Sequence, residues 1–307
     1  MGHGHSHAGV GPVGTGHAGG RHRWRLAAAL VLIAGFFAVE LTYGLLSGSL
    51  ALISDAGHMA ADVVTLAAAL AATGIATRKD TSGRRTYGSY RAEVFASGLA
   101  VLMMLGVSVY IVIGAIGRIG STPEVQTGPM LVVGALGLVV NVVALLLLRS
   151  GATESLNVKG AYLEVVADTA GSVGVIAAGW LVLATANPVW DTVIALAIGA
   201  FVVVRAVSLG RQVLAVLAQH VPEGMDLGAV ESDLAGIQGV ISVHDLHLWT
   251  LTSGMNVATA HLVVPGQHEV HRVLDEARRV LSDDHGLAHA TLQVEPADHT
   301  GCDELDW

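Results

Sequence analysis

Two pairs of metal-binding residue types recur at one spacing inside stretches that otherwise suit lipid. His58 and Asp62 lie four apart in the segment from Ser54 to Ala76, and Glu164 and Asp168 lie four apart between Gly160 and Ala184. Residues i and i+4 share a helix face, so each pair offers two ligand groups to one point between helices. Two such helices complete a set of four. One imidazole nitrogen with carboxylate oxygens in tetrahedral array suits Zn²⁺, with Co²⁺ and Cd²⁺ as competitors. Burying a carboxylate or imidazole in a span costs on the order of 3 kcal/mol, which makes each a functional hypothesis. A single intramembrane Asp is often explained by a helix-helix hydrogen bond; two matched pairs are not. Asp55 lies one turn before His58 on nearly the same face, and reads either as an access ligand or as an Asp favoured by a helix N-terminus. Glu40 and Asn141 are further candidates for lining a path, with internal pairing as the alternative. Glu93 and Asp191 fall near span ends, where interfacial solvation accounts for them.

The elements that must position these residues follow from composition. Of 307 residues, 52% are hydrophobic and 13% charged, against roughly 45–50% and about 25% in soluble domains. Most of the chain therefore belongs in lipid, and its 38 glycines permit close helix packing there. Stretches of about 20 apolar residues predict six spans: Leu26 to Leu46, Ser54 to Ala76, Glu93 to Ile116, Pro129 to Leu148, Gly160 to Ala184 and Pro188 to Leu209. Arg78, Lys79, Arg84, Arg85 and Arg91 separate the second and third spans, Arg149 and Lys159 the fourth and fifth, and Arg205 and Arg211 end the sixth. The alternate connections are nearly empty of Lys and Arg, which predicts both termini on the cytoplasmic side. A net charge of −9 argues against nucleic acid as a partner and fits a cationic one. The single cysteine, Cys302, excludes an intramolecular disulfide framework and a Cys-rich zinc module.

Four segments result: residues 1–25 as a disordered His/Gly-rich cytoplasmic tail, 26–209 as a six-helix membrane domain, 210–299 as a soluble domain and 300–307 as an acidic tail. The long apolar run after the tail excludes a cleavable signal peptide. Within the soluble domain, Leu227, Val230, Leu234 and Ile237 repeat at helical spacing behind an Asp226 N-cap. Val243 to Leu251 and Met255 to Val264 read as strands, joined by a turn at Thr252, Ser253 and Gly254. A second helix carries Val270, Val273, Leu274, Ala277, Val280 and Leu281, and a last strand carries Ala290, Leu292 and Val294. The order αββαβ predicts an open α+β sheet with helices on one side.

The run from Ser47 to Asp62, SGSLALISDAGHMAAD, resembles the signature of the cation diffusion facilitator family. Thr86 to Glu93 (TYGSYRAE), Asn157 to Val173 (NVKGAYLEVVADTAGSV) and His244 to Trp249 (HDLHLW) extend the likeness over almost the whole chain after the tail, closest to the cobalt-zinc-cadmium branch. The resemblance implies a ferredoxin-like cytoplasmic domain and a homodimer in the bacterial inner membrane. It also implies proton-coupled efflux of divalent metal through a transport site at His58, Asp62, Glu164 and Asp168. Many zinc-selective members have His at the position of Glu164, so a harder, more anionic site is expected here. The second-to-third connection has no histidine, which speaks against an extra metal site there.

Secondary metal positions are read at His244, His247, His261, His285 and His289, with His247 and His261 approaching each other across the hairpin. The alternative for each is an exposed histidine on a sheet face. His3, His5, His7, His17 and His22 of the tail read as a low-affinity metal collector, since alternation with Gly forms no packed core. Because ligands must be deprotonated to bind, metal binding displaces protons and proton return displaces metal. Three rival readings compete with transport of zinc. A sensor or scaffold would not need paired ligands in two spans. An intramembrane metallopeptidase would need His-Glu-x-x-His, which is absent, so no enzyme is expected. A transporter for Mn²⁺ is favoured by the carboxylates and disfavoured by His58.

Overall fold

Apolar runs of the length that spans a bilayer fold as helices because lipid leaves the backbone no other hydrogen-bond partners. The computed structural model describes residues 16–75, 86–87, 90–119, 121, 124–149, 156–252, 254–266 and 269–298. His3, His5, His7, the acidic tail with Cys302, and most of the basic connections after the second and fourth spans lie outside them.

Among the described residues, six helices are long and apolar enough to cross a membrane. They are α1 (Gly16–Ser47), α2 (Leu50–Ile75), α3 (Arg91–Gly117), α4 (Thr127–Arg149), α5 (Leu156–Thr185) and α6 (Val189–Leu217). Two boundaries differ from expectation. Helix α1 starts at Gly16 rather than Leu26, so His17 and His22 fall on a helix and not in a disordered tail. Arg21, Arg23 and Arg25 are good helix formers and let the helix continue past the apolar run. Helix α6 likewise runs on from Leu209 to Leu217.

Helix α2 is central: it packs on α1, α3 and α5, and α4 closes the group against α1 and α5. Small residues let these backbones approach. A Cβ on Gly57 of α2 would fall 2.2 Å from Val107 Cγ1 of α3, and one on Gly171 of α5 would fall 2.0 Å from Asp55 Oδ1 of α2. Helix α6 is held by Val202 and Ala206 against Ala61 of α2 and Ala100 and Met104 of α3. Phe36, Leu52, Met59, Met130 and Val175 form the main apolar core. Leu102, Ile113, Val142 and Leu183 point outward, as lipid-facing side chains must.

Asp191, expected to be solvated at an interface, is instead fully buried. It caps another helix. Leu50 N–H donates to its Oδ2 at 2.8 Å, Ala51 N–H to its Oδ1 at 3.2 Å, and Ser49 Oγ to its Oδ1 at 2.6 Å. Arg118, just past α3, donates to Asp191 Oδ2 at 2.8 Å and to Gly48 O at 2.5 Å. One carboxylate thus ties the start of α2 to α6 and α3, using the orphan N–H groups that every helix start presents.

The second unit, Leu214–Trp307, follows the expected order: α7 (Leu227–Ala235), β1 (Ser242–Thr252), β2 (Met255–Val264), α8 (Val270–Arg279) and β3 (His289–Pro296). Asp226 caps α7 by accepting from Gly228 N–H at 3.0 Å. The last turn after α8 widens over Val280–Asp284. Strands lie in the order β1-β2-β3, antiparallel and then parallel, with α8 as the crossover. Ala258, Ala260, Leu262 and Val264 face Val230, Leu234, Val273 and Ala277 of the helices, so this sheet face is the core.

Candidate metal sites

Helix periodicity puts Asp55, His58 and Asp62 on one face of α2, and the close approach at Gly171 sets that face against α5, which carries Asp168. His58 Nδ1 lies 3.6 Å from Asp62 Oδ2, and His58 Nε2 lies 3.6 Å from Asp168 Oδ1. All three side chains are buried, and one ligand atom from each falls within 4.8 Å of the others. With Zn–N and Zn–O bonds of about 2.0–2.2 Å, the edge of a tetrahedron is roughly 3.4 Å. The 3.6 Å from Nε2 to Asp168 is close to such an edge, whereas the Asp62 contact is to the other ring nitrogen, so a single ion takes one of these two contacts as they stand. The polar accounting agrees: His58 Nδ1, Asp62 Oδ2 and both oxygens of Asp168 are buried with no hydrogen-bond partner. Such groups are costly unless something completes them.

Glu164, the fourth residue of the matched pairs, is occupied differently. Its Oε2 accepts from Arg205 Nη2 of α6, and Arg205 Nη1 lies 3.1 Å from His58 Nε2. Helix spacing did place Glu164 beside the others; what it could not show was a cation from a third helix. Arg205 reads in the sequence as the basic end of the sixth span. The one signal against that reading was its position, four residues inside the expected end at Leu209. A guanidinium keeps its charge in any protein environment, so it is a permanent cation at the edge of the cluster.

Of the path candidates, Glu40 of α1 is fully buried with both oxygens unpartnered, and its carboxyl meets that of Asp55. Asp55 is also buried, and its Oδ1 has no donor; the helix-start explanation offered for it does not apply, because Ser49 and Asp191 hold the start of α2. Asn141 of α4 donates to Ser172 Oγ of α5 at 3.2 Å, and its own carbonyl oxygen is unpartnered. These residues line α1, α2, α4 and α5, the group that encloses the cluster.

The soluble unit holds a second cluster, His244, Asp245 and His261. The expected partner of His261 was His247. The register instead sets His244 opposite His261 and His247 opposite Thr259, because β1 carries a bulge between His244 and His247. Asp245 has φ of 51° there. An extra residue in one strand shifts its pairing by one position and re-aims side chains. The His244 and His261 rings stand edge to face with centroids 5.0 Å apart. Glu295 Oε1 of β3 lies 2.7 Å from His261 Nδ1. His285 contacts Asp233 at 2.9 Å and His289 starts β3; neither joins this cluster.

A bundle of spanning helices around a buried, unsatisfied His/Asp/Asp cluster, followed by a small α+β unit with its own histidines, defines a membrane transporter of metal cations. Residues 26–218 match the cation efflux transmembrane domain, and residues 222–297 match the cation efflux protein cytoplasmic domain. The chain belongs to the cation efflux, or cation diffusion facilitator, family that its motifs resemble. It is 42% identical to the metal cation efflux system protein CzcD of Cupriavidus metallidurans, over 100% of this chain and 93% of that protein. It is 34% identical to a cadmium, cobalt and zinc/H(+)-K(+) antiporter of Bacillus velezensis, over 97% of this chain and 93% of the relative. With the zinc transporter ZitB of Pectobacterium atrosepticum it shares 33% identity, over 99% and 91% of the two chains.

Proposed function

We propose that this chain exports divalent metal from the cytoplasm in exchange for protons, with Zn²⁺ the foremost cargo and Cd²⁺ and Co²⁺ also carried. The observation that carries the reading is the buried cluster of His58, Asp62 and Asp168, three residues of types that ligate zinc and its neighbours, with one ligand atom from each within 4.8 Å of the others between two spanning helices. The relatives named for zinc, cadmium and cobalt support the choice of ions. Inward-facing and outward-facing arrangements of the helices expose this site alternately, as in other transporters with a mid-membrane site. Metal loads from the cytoplasm on deprotonated ligands; protons from the far side then displace it. Asp55, Glu40 and Asn141 line the route.

Both termini lie in the cytoplasm and the protein sits in the bacterial inner membrane as a homodimer. The match of residues 222–297 to a cytoplasmic domain supports that orientation. His244 and His261 hold a regulatory metal, which biases transport only insofar as it binds the two states differently. The tail histidines collect metal weakly.

The test is metal uptake into vesicles containing the purified protein, with a metal-sensing dye inside and an imposed pH gradient. Zn²⁺, Cd²⁺, Co²⁺ and Mn²⁺ are run in parallel, wild type against Asp168→Ala. Gradient-dependent Zn²⁺ flux that vanishes in the variant is the expected result. Folded protein that binds zinc but moves no metal would make the chain a sensor or scaffold, and a preference for Mn²⁺ would overturn the choice of cargo.

A further inference from the structure

Arg205 brings a permanent charge to the transport site, reaching from α6 to the ligand cluster on α2 and α5. One arm of its guanidinium lies 3.1 Å from His58 Nε2 and the other donates to Glu164 Oε2. On either side of it, Val202 and Ala206 are buried in a cluster with Ala61 of α2 and Ala100 and Met104 of α3. A guanidinium has donors and no acceptors. The contact with His58 therefore requires the Nε2 lone pair to accept, which places the ring proton on Nδ1. That Nε2 is the nitrogen facing Asp168 at 3.6 Å, on the side where a metal would bridge α2 and α5. Arg205 thus stands on a lone pair that the metal needs, and donates to Glu164, whose carboxyl also meets that of Asp62.

The charge count gives this a purpose. With the carboxylates ionised, as ligation requires, Asp62, Asp168 and Glu164 together with Arg205 leave two negative charges, the number one divalent ion cancels. Without Arg205, the loaded site would hold a surplus negative charge and Glu164 would be free to become a fourth, hard ligand. Tight binding of that kind slows release, and release is half of a transport cycle.

We propose that Arg205 is a specificity-determining and release-determining residue of the transport site, a tethered cation that the arriving metal displaces from His58 and that competes with the metal for Glu164. The inference rests on the reading of this cluster as the metal site of an exporter. It predicts opposite effects from the two halves of one ion pair. Arg205→Gln frees Glu164 and the His58 lone pair, so Zn²⁺ binds more tightly and turns over more slowly. Glu164→Gln leaves the guanidinium unopposed beside His58, so Zn²⁺ binds more weakly. The double variant restores two negative charges and returns affinity toward wild type. One unit charge about 5 Å away at an effective dielectric near 20 corresponds to at least tenfold in each direction.

The experiment measures the dissociation constant of Zn²⁺ for the purified full chain, by competition with a chromophoric chelator at fixed pH. A His244→Ala, His261→Ala background silences the soluble-domain cluster. Wild type, Arg205→Gln, Arg205→Lys, Glu164→Gln and the double variant are compared, with Mn²⁺ measured alongside. Expected are a tenfold or larger decrease in the constant for Arg205→Gln, a tenfold or larger increase for Glu164→Gln, and a double variant within about threefold of wild type. Arg205→Lys, which keeps the charge, stays nearer wild type than Arg205→Gln. Arg205→Gln also gains more for Mn²⁺ than for Zn²⁺, because it adds an oxygen ligand. Shifts of the same sign in both single variants, or no shift in either, would overturn the proposal and leave the pair a strut between α5 and α6. Should Arg205→Gln not fold, Arg205→Lys and Glu164→Gln still decide, by a constant near wild type in the first and weakening in the second. Vesicle flux of the wild type tests the exporter reading separately, since these binding shifts do not depend on transport.

Discussion

Replacing Asp191 by alanine should destabilise the membrane unit more than removing any metal ligand. The carboxylate accepts from Ser49 Oγ, Leu50 N–H, Ala51 N–H and Arg118 Nη1, all between 2.6 and 3.2 Å. It is fully buried, and Arg118 is only 17% exposed. Stripping one partner from a buried ion pair typically costs about 3–5 kcal/mol. Arg118 keeps its bond to Gly48 O, which moderates that loss. The two amide donors at the start of α2 each forfeit roughly 1 kcal/mol more. A net cost of about 4 kcal/mol follows, close to a thousandfold in the folded-to-unfolded ratio. An asparagine in its place would keep one oxygen acceptor without the charge, so Asp191→Asn should lose about half as much. The assay is a titration of purified protein with a denaturing detergent, followed by circular dichroism and tryptophan fluorescence. Asp191→Ala should unfold at a clearly lower detergent fraction, Asp191→Asn between it and wild type, and Asp62→Ala near wild type. If Asp191→Ala unfolded with the wild type, the carboxylate would not be pinning these three helix ends and the reasoning would fail.

Other outcomes follow from the same geometry. Gly171→Ala drives a methyl to within 2.0 Å of Asp55 Oδ1; the Asp55 carboxylate must turn away from α5, which should cut flux, by up to about a hundredfold if the groups beside it move by about 1 Å. Full flux in that variant, measured in vesicles, would contradict the packing. Gly57→Ala meets Val107 at 2.2 Å and should destabilise by about 1–3 kcal/mol, with Val107→Ala restoring the melting temperature. Asp62→Ala should abolish flux while the circular dichroism spectrum is unchanged. In the soluble unit, His244→Ala or His261→Ala should each remove one zinc equivalent from calorimetric titration of the full chain, whereas His247→Ala should not.

The sequence made the spans, the αββαβ order and the facing ligand pairs legible because each depends on a local period: long apolar runs for the spans, alternation in β2, and i to i+4 spacing for His58 with Asp62 and Glu164 with Asp168. Where local pattern misleads, the decisive contact is distant along the chain or hidden in a register shift. Asp191 looked interfacial by position, but it is buried because the start of α2, about 140 residues earlier, supplies its donors. Arg205 looked like a topology signal because its count among flanking basic residues says nothing about which way a side chain turns. His247 reads as approaching His261 across the hairpin, but counting back from the turn pairs His261 with Asp245, and the bulged residue there moves the partner to His244.

The buried polar groups of the membrane unit divide into two sets, and the division carries a functional argument. Asp191, Ser49, Ser54 and Ser108 all have partners: Ser54 donates to Ala195 O at 3.2 Å and Ser108 to Met104 O at 2.8 Å. They hold helices in place, and burial without a partner would make them liabilities. Glu40, Asp55, His58, Asp62, Asn141 and Asp168 each keep at least one buried atom without a partner, as does Ser47 Oγ at the end of α1, away from the ligand group. All of them lie on α1, α2, α4 or α5. A fold that satisfied these six would be more stable and would leave a cation nothing to bind, since every ligand lone pair would already be donated to. Leaving them open lowers the stability of the empty protein, and that deficit is the binding energy a metal recovers on loading and returns on release. Arg205 sets the size of the deficit. By covering one imidazole lone pair and one carboxylate it keeps the empty site tolerable without closing it, which is the condition for a site that must fill from one side of the membrane and empty to the other.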